Sequence, residues 1–592
     1  MKQFFKYVFA TVTGIIIFTL LMLLISVISL MSMSSQSAIK VKDNSVLELK
    51  LSGVMSERSS DNPIASLFGN SSVQSISLEN VLKAIKRAKE DEKIKGIYIE
   101  SGLMSGATPA MLEEIHDALV DFKTSKKFIL AYGDNYTQGT YYLSSMADSI
   151  VINPTGILEW SGMSVNVMYM KDFLDKIGVN VEVFKVGTYK SAVEPFLQNE
   201  MSDANREQIE VFTSEIWDAI KAKVSKNRQI PVAKLNEFAD SMVTFAPVTE
   251  YQKNKLVDKI AYSDEVPQMI ANMMKVDKDD YHTISVEDLA TSISDEPKGT
   301  SGNIIAVYYA YGDIVDEASR GIGGGHEIVG KEVVKDLQKL ADDDDVKAVV
   351  LRVNSGGGSA YASEQIWHAI EMIKAKQKPV VVSMGGYAAS GGYYISSGAN
   401  WIVAEPTTLT GSIGIFGMFP IAKELLNEKL GIHYDCVKTN ELSDFGDFSR
   451  DMTDLEKHKL QSYINRGYEL FTSRCAQGRK VSQDSIKVIG EGRVWTGVHA
   501  QKIGLVDELG GLDKAIAKAK ALSKTEEYTL LSYPGQKGFF DNLFNSMSSD
   551  TYADNKLQEV MGEYYSLLQT LRHLNPKGNV QAEIPYKLKF NL

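Results

Sequence analysis

This 592-residue chain is expected to be an α/β protein made by duplicating one unit, preceded by a transmembrane helix. Three observations carry that expectation. Residues 95–155 align without a gap on residues 347–407, placing Gly106 on Gly358, Gly133 on Gly385, Gly139 on Gly391, Tyr141 and Tyr142 on Tyr393 and Tyr394, and Pro154 on Pro406. Inside each copy, short apolar runs rich in β-branched residues alternate with stretches of helical periodicity, the pattern of strands buried in a parallel sheet between helices. From Val8 to Met33 the chain carries no charge at all.

Taken in order, the uncharged run comes first. A helix of about 20 apolar residues crosses a hydrocarbon core of about 30 Å, and this run is long enough. It exceeds the apolar stretch of a cleavable signal peptide and ends in SLMSMSSQS, a poor exit site, so it reads as a retained anchor. Lys2 and Lys6 precede it and Lys40 is the first charge after it, which puts the short leading segment in the cytoplasm and the body on the other face of the membrane. The boundaries expected are 1–44 for tail, anchor and linker, 45–295 for the first repeat, 303–530 for the second, and 531–592 for a helical tail. The turn-rich SDEPKGTSGN at 294–303 separates the repeats, and DNKLQEVMGEYYSLLQTLRHL has the periodicity of one amphipathic helix.

Each repeat reads as strand (KGIYIE; KAVVLRV), glycine-bearing turn, helix (TPAMLEEIHDALVDF; SAYASEQIWHAIEMI), second strand (KFILAY; KPVVVS) and a helix starting near the tyrosine pair. A longer helix follows in the first copy, SDANREQIEVFTSEIWDAIKAKVSKN, with Ser202 or Asp203 as its N-cap. The composition is that of a globular protein, 44% hydrophobic and 23% charged. A net charge of -12 without a basic stripe argues against nucleic acid as a partner. The two cysteines, Cys436 and Cys475, match no metal-ligand spacing and read as buried thiols.

The chemistry concentrates in the second copy. NSGGGS, Asn354 to Ser359, occupies a strand-to-helix turn where bare backbone N–H groups can meet a developing oxyanion, although a tight turn needing positive φ would use the same glycines. Ser390 heads the other such turn, in YAASGGYY, where a helix end would favour its alkoxide. No histidine serves it by position: His326 follows three glycines, His116 and His368 share one helix position in the two copies, and His433 starts an expected strand. A lysine can replace histidine as base only if it is neutral. With a reference pKa near 10.4, only about one lysine in 2,500 is neutral at pH 7, so the amine must be buried.

VEVFKVGTYKSAVEPF, residues 181–196, meets that requirement, with Lys190 at the end of an apolar strand beside Ser191 and Ala192. The second copy lacks this lysine, its counterpart falling near Ser443, while the first copy has Gln138 in place of Ser390 and GLMSG in place of NSGGG. Each half therefore keeps the part the other has lost. The expected site is composite, formed where two halves of one chain or of neighbouring chains face one another. A Ser-x-x-Lys match at Ser37 and Lys40 lies too close to the apolar run to build a site.

RVNSGGGSAYASE, YAASGGYYIS, TGSIGI and VWTGVHAQKIGLVDELGG, together with VGTYKSAVEPF, resemble the signal peptide peptidase A (protease IV) family in its long two-repeat form. The resemblance implies a duplicated Clp protease/crotonase-like fold, an oligomer (a tetramer) anchored in the bacterial cytoplasmic membrane with its body on the periplasmic side, and a Ser/Lys dyad that degrades leftover signal peptides and other apolar, unstructured peptides. It implies Ser390 as nucleophile, Lys190 as general base, Ser412 as a hydroxyl bonded to the lysine amine, and the backbone N–H groups of Gly357 and Gly391 as oxyanion donors. It calls for no cofactor and no metal. One departure is Gly356, where the family usually has proline after the serine of the turn. Two rival readings keep the fold: thioester chemistry of the crotonase type, disfavoured by a body facing away from the cytoplasmic coenzyme A pool, and an inactive membrane scaffold.

Overall fold

The computed structural model describes residues 40–58, 75–292, 302–318, 326–535 and 581–583, together with residues 3, 6, 7, 11, 13–19, 21 and 22. Residues 13–19 are helical, with Ile15, Ile16, Ile17 and Phe18 exposed. Among the described residues no helix is long and apolar enough to cross a membrane, and most of the expected anchor lies outside them. The boundary segment near 294–303, the glycines before His326, and the expected tail helix fall largely or wholly outside them too.

The duplication is visible as two sheets of one design. In the first repeat Ser45–Ser56, Ile94–Ser105, Phe128–Tyr136 and Ser149–Leu158 pair in that order, all parallel. In the second, Ile304–Tyr311, Val346–Ser355, Val380–Ala389 and Trp401–Ala404 repeat the order and the direction. Thr529–Tyr533 adds a parallel strand beside Ile304–Tyr311, so the second sheet runs slightly past position 530. Strands such as AVVLRV are apolar at consecutive positions because both faces are covered. Val349, Leu351 and Val353 face one buried cluster, and Ala348 and Val350 face another.

The helices start where the sequence supplies caps. Thr108, with Pro109 behind it, accepts from the Met111 N–H, and Ser359 accepts from the Ala362 N–H at the matching turn of the second copy. Ser202 caps Asp203–Arg228, and Thr453 forms a capping box with Glu456 at the head of Asp454–Arg479. Two expectations are corrected. His433 lies in an exposed stretch that forms no strand, and Cys436 is exposed whereas Cys475 is buried, both as free thiols.

What places the site is the joint between the halves. Asn180–Lys185 of the first repeat pairs antiparallel with Phe416–Ile421 of the second, so one sheet contains strands of both. Beside it lies a buried charge network. The Arg352 guanidinium, on the strand that leads into NSGGGS, donates to Glu57 at 3.0 and 3.2 Å, to Glu114 at 2.5 Å and to Ser383 Oγ at 3.0 Å. Glu57 also accepts from Asn354 Nδ2 at 2.8 Å. Burial alone would lower the guanidinium pKa, but Glu114 and Glu57 outweigh it and hold the charge.

Glu405 stands at the edge of this network without such support. Burial, then the neighbouring carboxyl groups of Glu114 and Glu113, push its pKa well above the ordinary value, and its Oε2 has no hydrogen-bond partner among the described residues. Between the ordinary glutamate pKa and that raised value, the folded protein holds a proton the unfolded chain has released, so stability falls as pH rises through the window. Glu405→Gln is therefore expected to raise the melting temperature at pH 8, by about 2–4 °C for each kcal/mol relieved. It should have little effect near pH 4, and scanning calorimetry across pH reads the difference.

Candidate active site

Ser390 sits between the strand Val380–Ala389 and the helix Gly391–Ser397, with φ 53° and ψ -113°. A non-glycine residue in that region is strained and persists only where its surroundings over-determine it. Here its N–H donates to Gly411 O at 2.8 Å and its carbonyl accepts from the Tyr394 N–H at 2.8 Å, which fixes both flanks of the turn. Gly391 and Gly392 are glycines because the neighbouring turn presses against them. A Cβ on Gly391 would stand 2.8 Å from Ser363 Oγ and 3.1 Å from Gly357 Cα, and one on Gly392 would stand 2.5 Å from Ser355 O. The two glycine-bearing turns singled out in the sequence are thus in contact.

Lys190 arrives from the other half. After Asn180–Lys185 the chain turns at Gly187, φ 106°, and Lys190 caps the short 3-10 turn Ser191–Val193. The arm is clamped onto residues 491–494 of the second repeat. The Tyr189 N–H donates to Glu491 O at 2.9 Å, Thr188 Oγ1 donates to Glu491 Oε2 at 2.7 Å, and Gly492 (φ 76°) would meet the Lys190 backbone at 2.7 Å if it carried a Cβ. Gln208 ties the two sides together, donating to Tyr189 O at 3.2 Å and accepting from the Val494 N–H at 3.2 Å. Arg493 lies over the rings of Tyr189 and Trp495. VWT of the second copy, quoted above without a role, helps to seat the lysine arm.

The amine ends where a base is needed. Lys190 is 0% exposed, and its Nζ lies 2.7 Å from Ser390 Oγ, 3.1 Å from Ser412 Oγ and 3.3 Å from Ser412 O. Ser412 has φ 48° and its N–H donates to Arg493 O at 2.7 Å, so its backbone is held by the same 491–494 segment that holds the arm. Ser390, Lys190 and Ser412 come together within one chain, and no neighbouring chain is needed to unite them. Gly357 and Gly391 adjoin each other, and the Gly357 N–H donates to Ser355 Oγ at 3.1 Å.

The remaining candidates are elsewhere. Gln138, the counterpart of Ser390, is buried and structural, its Oε1 accepting from the N–H groups of Ser161 and Gly162. His116 stacks on Tyr142 and bonds Asn227, and burial lowers its pKa. His326 stacks on Tyr311. The Ser-x-x-Lys pair cannot be placed, because Ser37 lies outside the described residues. Sequence reasoning missed Glu57, Glu114 and Arg352, whose partners are distant in the chain. An arginine inside the apolar run AVVLRV was the one available signal, since a charge on a buried strand requires a partner.

The arrangement can deprotonate a serine hydroxyl by a dry amine and hold the charge that results. During proton transfer the amine becomes a lysinium, and Ser412 Oγ is placed to accept from it. Ser412→Ala is expected to lower kcat/KM about 10–100-fold through loss of one charge-assisted hydrogen bond of about 1.5–3 kcal/mol. Steady-state kinetics on a quenched-fluorescence peptide reads that loss, which should fall on kcat.

Comparison with known proteins agrees with the repeat and with a peptidase. The model of "Peptidase family S49" matches residues 121–277 and again 372–526, and that of "Clp protease" matches 319–403. Protease 4 of Salmonella typhi is 39% identical over 523 residues, covering 86% of this chain and 83% of that protein. Protease 4 of Haemophilus influenzae is 34% identical, covering 98% and 94%. The chloroplastic serine protease SPPA of Arabidopsis thaliana is 30% identical, covering 81% and 69%.

Proposed function

Because this chain belongs to peptidase family S49, as a serine protease homologue of the two-repeat protease IV type, we propose that it is a Ser/Lys-dyad endopeptidase that degrades cleaved signal peptides and other apolar, unstructured peptides. The observation that carries the reading is the 2.7 Å approach of a fully buried lysine amine to a strained serine. Neutral Lys190 takes the Ser390 proton and the alkoxide attacks a peptide carbonyl. The N–H groups of Gly391 and Gly357 hold the oxyanion, the latter leaving Ser355, and the lysinium protonates the departing amine. Water then repeats the cycle on the acyl-enzyme.

Substrate recognition follows from the strand backbone beside the serine. Residues 581–583 pair with Gly357–Ser359 and, at Gln581, with Phe416; an extended substrate would take their place there, and such pairing is available only to peptides without structure of their own. The exposed apolar residues of 13–19 suit an anchor in the membrane, where spent signal peptides are found. No neighbouring chain is required to bring Lys190 to Ser390. The test is hydrolysis of an unstructured apolar peptide by detergent-solubilised protein, comparing wild type with Ser390→Ala. Cleavage by wild type and none by the variant supports the reading, and no cleavage by wild type favours a scaffold.

A further inference from the structure

Gln208 stands on the long helix Asp203–Arg228 of the first repeat, yet it is only 1% exposed, because its carboxamide is buried in the joint between the repeats. Its Nε2 donates toward Tyr189 O at 3.2 Å and Ser191 Oγ at 3.1 Å, on the two residues that flank Lys190, and toward Asn205 Oδ1 at 3.1 Å. Its Oε1 accepts from the Val494 N–H of the second repeat at 3.2 Å. A main-chain carbonyl can only accept and a main-chain N–H can only donate, so these partners fix which end of the amide is which. Asn205 is buried too, and donates to Glu194 Oε2 at 2.9 Å, while Glu194 accepts from Ser202 Oγ at 2.6 Å. The amide is thus locked by a chain of hydrogen bonds that runs from just after Lys190 to the start of its own helix.

The peptide group that Gln208 holds also serves the other side of the dyad. The Arg493 carbonyl and the Val494 N–H belong to one planar unit. While that N–H goes to Gln208, the carbonyl accepts from the Ser412 N–H at 2.7 Å. Val494 also lies opposite Gly411 in an antiparallel pair, and Gly411 O accepts from the Ser390 N–H at 2.8 Å. One buried side chain therefore holds the segments bearing Lys190, Ser412 and Ser390 in a common register. It does so through backbone groups and the Ser191 hydroxyl, none of them a reacting atom.

We propose that Gln208 is a positioning residue of the dyad, the side chain that holds the Lys190 arm at the distance from Ser390 that proton transfer requires. The inference rests on the serine-peptidase reading above and adds to it a residue that acts on the chemical step rather than on peptide binding. The ties to Glu491 reach the arm before Lys190, at Thr188 and Tyr189, whereas Gln208 grips it on both sides. The rate depends steeply on that grip, since a displacement of about 1 Å can cost about 10²-fold. Loosening the arm also lets water reach the amine, which favours the ammonium and raises the pH at which the base becomes available.

The experiment compares the wild-type full chain with Gln208→Met, which keeps the length and loses every hydrogen bond, and Gln208→Glu, which keeps an acceptor for the Val494 N–H and loses the donors. Steady-state kinetics on an unstructured apolar peptide are measured from about pH 6 to about pH 10. The active fraction is counted by stoichiometric labelling of Ser390 with a serine-reactive probe, and circular dichroism checks folding. The expected result in both variants is a kcat about tenfold lower or more, a KM within about twofold of wild type, and an acid limb of kcat/KM displaced to higher pH. A kcat within about twofold of wild type in the folded variants overturns the assignment and leaves the peptidase reading standing. A loss carried by KM alone, or by the active fraction alone, overturns it equally, because that is the mark of a merely structural role. If wild type cleaves no peptide across the pH range, the dyad reading fails and this inference fails with it.

Discussion

Lys190→Met is expected to lower kcat/KM for an apolar peptide by on the order of 10⁴ while the protein melts at the same temperature or higher. The loss follows from the proposed dyad: with Nζ 2.7 Å from Ser390 Oγ, the amine is within reach of the serine proton. General-base catalysis contributes about 10²–10⁴, and members of a catalytic unit removed singly cost more than their share, so Ser390→Ala should lose on the order of 10⁶. The stability half of the result separates a catalytic role from a structural one. Lys190 is 0% exposed, and taking an ammonium out of water is costly, so an unbranched apolar side chain of similar length should not weaken the fold. Activity and thermal denaturation measured on the same preparations check both halves. A variant that keeps more than about a hundredth of wild-type activity would remove Lys190 from the mechanism.

Arg352→Met is expected to cost about 3–5 kcal/mol of stability, because it leaves the Glu57 and Glu114 carboxyl groups buried without their partner. Burial already pushes the Glu114 pKa up against the pull of Arg352, and removing the arginine lets it rise further. In the variant the folded state then favours protonated carboxyls, so its stability falls as pH rises above the ordinary glutamate value. The deficit against wild type should therefore be larger at pH 8 than at pH 5. Adding Glu57→Gln and Glu114→Gln should recover much of it, since an uncharged network carries no unpaired charge. Urea titrations at the two pH values measure the difference. Activity should drop more than the folded fraction does, because Glu57 also holds Asn354 at the head of the glycine turn.

The duplicated α/β plan was legible in the sequence by itself. Strands buried on both faces demand apolar residues at consecutive positions, turns at positive φ demand glycine, and helix starts demand capping side chains. All three are local requirements, and a repeat writes them twice. The complementary losses, Gln138 in place of Ser390 and Ser443 near the place of Lys190, already implied a composite site. What only the tertiary structure decided is how that site closes. Lys190 reaches Ser390 because Asn180–Lys185 pairs with Phe416–Ile421 and Gly492 leaves room for the lysine backbone, contacts between segments more than 200 positions apart that leave no periodicity to read. The same holds for Arg352 with Glu57 and Glu114. Backbone preference acts between neighbours along the chain, whereas burial of charge and completion of a sheet edge act between whatever the fold brings together.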